Sequence, residues 1–156
     1  MLTSSNSSST QWPALPFTEW QDTCATLHLW TQVVGKVRLA LAPMVNHWWQ
    51  VPLYVTTTGL TTSVMPYRGR SVQIDFDFCR HILRVTTSDE QQSEFALAPY
   101  SVAQFYRNTM EALLDVGVDV DIWTMPVEIP GAIPFEQDDR HKSYDAHAAQ
   151  RFWLVL

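Results

Sequence analysis

The sequence predicts an α+β fold: a mostly antiparallel meander sheet of about five to six strands, two main helices on one face, and a C-terminal helix. Three observations carry that expectation. Apolar residues recur at helical spacing over Thr18 to Ala42 and over Val102 to Val116. Between Trp48 and Leu97 they alternate with polar residues instead. Turn-forming stretches at Thr56 to Gly59, Arg68 to Arg70 and Ser88 to Gln92 cut that alternating region into short strands.

The opening residues 1–11, MLTSSNSSSTQ, lack the positive start and apolar middle of a signal peptide and read as a disordered serine-rich tail. Trp12 to Pro16 is a stiff lead-in, its two prolines holding the preceding residues extended, and it delivers Phe17 to the core. The long helix then opens with Thr18 as N-cap, Gln21 closing a capping box and Phe17 stapling the first turn. Pro43 stops it. Because Leu29, Val33, Leu39 and Ala40 widen the stripe set by Trp20, Cys24, Leu27, Trp30, Val34, Val37 and Leu41, this helix is expected to lie inside the protein.

After a connector at residues 43–47, Trp48 to Val55 reads as a strand whose Pro52 marks an edge or a bulge, and Leu60 to Met65 as its return. In Val72 to Phe78, the residues Val72, Ile74, Phe76 and Phe78 share one side, opposite Gln73, Asp75 and Asp77. Ile82 to Thr87 follows. A Cys79-Arg80 turn would pair Phe76 with Leu83, Ile74 with Val85 and, as an ion pair on the other face, Asp75 with Arg84; a longer loop with shifted register stays open. Glu94 to Leu97 is a short strand. Ser101 and Gln104 form a capping box for the second helix, whose core face is Val102, Phe105, Thr109, Leu113 and Val116, with Gly117 ending it. Val118 to Trp123 alternates again as a returning strand. Residues 12–134 thus read as a single α+β domain. Residues 135–156 read as a polar loop and a helix that docks on that domain or leads to an absent second half.

Composition bounds the rest. A chain of 156 residues that is 46% hydrophobic, with seven Trp, builds one proper core. A net charge of -6 without a basic cluster argues against a nucleic-acid partner. Beyond residue 100 nine carboxylates stand against four basic residues, so one end of the molecule is negative. Lys36 and Arg38 interrupt the longest apolar run, so no membrane span is expected. Two cysteines, Cys24 on the apolar stripe and Cys79 in a turn, fit a reducing cytoplasm better than a disulfide.

The polar residues of the long helix draw the functional reading. His28, Gln32 and Lys36 lie four apart and form a ladder, with Arg38 within half a turn of its top and Thr31 and Gly35 beside it; His47 in the connector reads first as a surface or capping residue and, in the alternative, folds back towards the helix end. Such a stripe is more often a solvent edge, or side chains bonded to neighbouring backbone, than a site. If enclosed, however, its charges need partners, either protein carboxylates or a ligand. His28, Gln32, Lys36, Arg38 and His47 are therefore the candidate ligand-binding residues, for a small anionic molecule.

No phosphate-cradling loop, nucleophile elbow, zinc-type cysteine pair or HExxH helix occurs. Glu136, Asp138, Asp139, His141 and Asp145 read as a solvated acidic loop sooner than as a metal site, and Trp48, Trp49, Tyr54 and Trp123 as core sooner than as pocket lining. No catalytic residue, cofactor or reaction follows from the sequence.

The segments WPALPFTEWQDTCATLHLWTQVVGKVRLAL, NHWWQVPLYVTTTGLTTS, IDFDF, SVAQFY, DIWTMPVEIP and IPFEQDDRHKSYDAHAAQRFW together resemble an uncharacterised family of bacterial proteins, a domain of unknown function. The resemblance runs from Trp12 essentially to the last residue. It implies no reaction. It does imply that similar proteins continue into a second half rich in aromatic, Gly and Pro residues, so that this chain matches roughly the first half. On that footing an interaction or assembly module, homo-oligomeric or completed by a second-half domain, is the first functional expectation, and a small-molecule binding or enzymatic domain the alternative.

Overall fold

The computed structural model describes residues 12–156, so the serine-rich tail lies outside the described residues. Helix α1 spans Phe17–Leu41, α2 Val102–Asp115 and α3 Ala146–Leu154. Six strands, β1 (Tyr54–Val55), β2 (Gly59–Thr61), β3 (Met65–Tyr67), β4 (Arg70–Asp77), β5 (Ile82–Thr87) and β6 (Gln92–Ala96), form one antiparallel sheet. Its order is β1-β2-β4-β5-β6, with β3 also on β4. The α+β fold with its antiparallel sheet and C-terminal helix is thus as expected.

Strands β2 and β3 pair with successive halves of β4 and act as one strand broken at Thr62 to Val64. The break is held by Thr62, whose Oγ1 accepts the Ile74 N–H at 3.0 Å while Ser63 turns to φ 54°. On β4 and β5 the register is the expected one: Phe76 opposite Leu83, Ile74 opposite Val85, Asp75 opposite Arg84. The expected ion pair does not form. Arg84 bonds Glu94 on β6 at 2.9 Å, and Asp75 accepts from Gln73 on its own strand.

Val72, Ile74, Phe76, Leu83 and Val85 give the sheet its buried face, and α1 and α2 supply the cover. Trp30 of α1 stacks on Phe105 of α2 at 4.5 Å, Phe105 stacks on Phe76 at 6.0 Å, and Tyr144 stacks on Trp30 at 5.3 Å. Offset aromatic pairs of this kind each add about 0.5–1.5 kcal/mol beyond the area they bury. Phe135, Tyr144 and Ala149 join the same core, and α3 packs on α1 and β2.

Four local expectations are corrected. Helix α1 begins at Phe17 behind Pro16, with no side-chain cap; Thr18 is exposed and Phe17, 62% exposed, staples nothing. Proline fixes the entry geometry without a side-chain acceptor. Residues 48–55 form a strand only at Tyr54–Val55: a 3-10 turn spans Asn46–Trp48, with left-handed backbone at His47 and Trp48, and leaves Trp48 and Trp49 exposed. Residues 118–123 keep the predicted alternation in burial but pair with no strand. The backbone of Asp119 bonds the Tyr67 hydroxyl through both its N–H and its carbonyl instead. Finally, Asp138 is not solvated. It is buried, it accepts the Arg140 and His141 N–H groups, and its second oxygen lies 2.7 Å from His141 Nδ1.

Helix α1 is not enclosed on every side. Thr23, Thr26, Trp30, Val33, Val34 and Val37 face the core, whereas His28 and Leu39, on the opposite face, are exposed. That outer face builds the site.

Candidate functional site

Along α1, Trp20, Cys24, Leu27, His28, Thr31, Gln32, Gly35, Lys36 and Leu39 recur at three- and four-residue steps and form one continuous wall. Facing it are Trp48, Val51, Pro52 and Leu53 before β1, Leu60 of β2, Phe152 of α3, and Trp123, Val127 and Glu128 from the segment after α2. The space between is an open groove of about 1010 Å³, at the upper end of small-molecule sites. Its lining is almost wholly hydrocarbon and aromatic.

Lys36 is the charged exception on the helix wall. It is only 8% exposed, and its ammonium sits 4.4 Å from the Trp123 ring centroid and 6.0 Å from that of Phe135. Among the described residues it makes no hydrogen bond and no ion pair, and its Nζ keeps some accessible surface towards the groove. The ring faces attract a cation, at about 0.5–2 kcal/mol, but accept no charge-balancing bond. Loss of water lowers the amine's pKa from the ordinary lysine value.

Gln32 and His28 stand differently. Gln32 Nε2 donates to the Val127 carbonyl and the Val127 N–H donates to Gln32 Oε1, both at 2.9 Å, so one amide holds the backbone of the far wall. The same Nε2 lies 3.4 Å from His28 Nε2, and His28 stands at the open edge of the groove. The ladder of His28, Gln32 and Lys36 therefore shares one groove.

Arg38 and His47 do not join it. Arg38 turns away, donating to the Pro52 carbonyl at 2.7 Å with its guanidinium 4.8 Å from the Tyr54 ring. It ties α1 to the chain before β1. His47 is exposed, with Trp49 as its ring neighbour at 6.1 Å.

Of the aromatic residues expected in the core, Trp48 and Trp123 line the groove while Trp49 and Tyr54 face outward. The far wall was beyond sequence reasoning, because Val127 is 95 positions from Gln32. A signal was nonetheless present. Helix α1 carries more apolar surface than one core-facing stripe requires, and its small Thr31 and Gly35 leave room beside the ladder.

Chemically the groove is suited to binding. Burial raises the Cys24 thiol, opposite to what a nucleophile needs. Among the described residues His28 and Glu128 both line the groove but form no hydrogen-bonded pair; the His141–Asp138 pair closes the turn before α3, where the Asp138 and His141 carbonyls accept from the first N–H groups of α2.

A single antiparallel sheet roofed by helices, with an apolar groove along one helix and a lone ammonium at its wall, defines an α+β domain with a small-molecule-sized cleft. The chain belongs to a family of unknown function, DUF5996, whose model matches residues 12–156. No curated protein and no solved structure matches it.

Proposed function

We propose that this domain binds a small amphiphilic anion, its apolar body in the groove and its acidic group on Lys36. The observation that carries the reading is the Lys36 ammonium, on a mostly buried side chain of an apolar wall, without a hydrogen bond or ion pair even though Glu128 lines the same groove. A carboxylate there forms the missing charge-assisted bond, which is roughly twice as strong as a neutral one. His28 at the groove edge adds a hydrogen-bonding group, and Gln32 positions the far wall. Free Cys24 and Cys79 support the cytoplasm as the compartment; among the described residues no helix is long and apolar enough to cross a membrane.

The test compares apolar carboxylates with the matching alcohols, read by tryptophan fluorescence. Wild type is expected to prefer the acid by about ten- to a hundredfold, the ratio for about 1.5–3 kcal/mol in a charged hydrogen bond. Lys36→Met should erase the preference while leaving the fold intact. Equal binding of acid and alcohol by wild type would end the reading.

A second reading, an interaction or assembly module, draws on exposed apolar side chains: Trp48 at 58% and Trp123 at 68% on the groove mouth, and Leu154, Val155 and Leu156 after it. A second copy or a second-half domain would cover them. A scattering mass of one chain at micromolar concentration removes the self-association form of this reading.

A further inference from the structure

Resting on the anion-binding reading, the shape of the groove narrows the ligand class. The lining runs the length of α1 from Trp20 to Leu39, and its one buried cation stands near one end. From Lys36 back to Trp20 the helix advances about 24 Å, at about 1.5 Å per residue. The intervening wall, Cys24, Leu27, Thr31 and Gly35, is small or apolar, and Leu60 and Phe152 face it. At the distal end Trp20 and Phe152 close together, ring centroids 5.3 Å apart. His28 stands at the open edge of this path, Gln32 has its amide committed to Val127, and Glu128 lies on the segment opposite, so the strip beneath an alkyl chain is the hydrocarbon one. An extended hydrocarbon advances roughly 1.3 Å per carbon, from bonds of about 1.5 Å bent at the tetrahedral angle. The groove length thus matches a chain of roughly sixteen to eighteen carbons.

We propose that the groove takes one long-chain fatty carboxylate, its head on Lys36 and its chain laid along α1 towards Trp20 and Phe152. The ligand is the monomeric acid in water, and the groove replaces its hydration by apolar wall from end to end. Compact aromatic acids would fill only the Lys36 and Trp123 end.

The experiment titrates the purified chain with octanoate, dodecanoate, hexadecanoate and naphthoate, each below its micellar concentration, by calorimetry and tryptophan fluorescence. Affinity should rise from octanoate to hexadecanoate by about two- to fourfold per added carbon, the increment for a methylene leaving water. Cys24→Phe, which fills the groove about 18 Å from Lys36, should bring the hexadecanoate affinity down towards that of dodecanoate while leaving octanoate unchanged. Should that variant fail to fold, the chain-length series on wild type decides alone. Hexadecanoate binding no tighter than octanoate overturns the proposal. Lys36-dependent binding of naphthoate without any linear acid also overturns it, yet leaves the anion-binding reading standing. Binding of none of the four, or binding indifferent to Lys36→Met, removes both.

Discussion

Lys36 brings a positive charge to an apolar wall and, although Glu128 lines the same groove, pairs with no acid among the described residues, and its behaviour with pH follows from that. Desolvation puts its folded pKa below the unfolded one. Between the two values the unfolded chain holds more protons, so stability rises with pH across that window, just below the ordinary lysine value. Tyr144 works the other way in alkali, because burial holds its phenol un-ionised far above the usual range. The comparison is therefore wild type against Lys36→Met. In chemical melts the variant should be the more stable at neutral pH, with the gap closing as lysine loses its proton. Binding has the opposite slope: carboxylate affinity should fall as pH rises through the lowered pKa, whereas binding of the matching alcohol stays flat. An acid affinity independent of pH up to the ordinary lysine value would place the anion elsewhere. The ladder was legible because residues four apart on a helix must lie near one another. Its answering groups were not: Val127 comes from a distant segment, and the turn of Arg38 towards Pro52 depends on where the chain returns.

At the scale of elements, α1 and α2 differ in how they start. Ser101 accepts the Gln104 N–H at 3.1 Å and donates to Asp139 at 2.7 Å, so it caps α2 and ties it to the acidic loop. Ser101→Ala should cost about 1 kcal/mol, within the usual range of about 0.5–2 for a lost cap. Thr18→Ala should change stability by less than about 0.5 kcal/mol, since Thr18 is exposed and caps nothing. Equal losses in urea melts would contradict the assignment of the caps. Gly35 supplies a third case: a Cβ there would meet Val51 at 3.7 Å, an ordinary contact. Gly35→Ala should thus stabilise α1 by roughly 0.5–1 kcal/mol, a gain read directly from the thermal midpoint. The capping box of α2 was plain in the sequence because its signal is local. The strand read at 48–55 was misplaced for a related reason. Alternation records which side of an extended chain is buried, whereas a strand also requires a neighbour to bond. The turn at Asn46–Trp48 removes that neighbour, as the Tyr67 hydroxyl does for Asp119.

The whole molecule turns on the two apolar faces of α1. An amphipathic helix covering a sheet buries one stripe and wets the other. Here the second face is apolar as well, which in the sequence looked like a helix wholly inside and in the structure is a groove wall. Arg38 holds the Pro52 side of that groove, and the amide of Gln32 ties its Val127 side. Gln32→Ala should cut that tie, leaving Val127 and its neighbours free to move while the aromatic core around Trp30, Phe105 and Phe76 stays packed. The expected result is rapid hydrogen exchange at the Val127 amide, a stability loss of about 1–2 kcal/mol, and weaker ligand binding with Lys36 still in place. Gln32→Glu separates tether from charge. Its carboxylate keeps the acceptor for the Val127 N–H but loses the donor to the carbonyl, and it stands one turn before Lys36, the favourable order for an ion pair. That variant should retain part of the amide protection yet bind carboxylates worse than Gln32→Ala does, because Lys36 then has its own acid. Identical ligand affinities in the two variants would mean that Lys36 does not receive the anion.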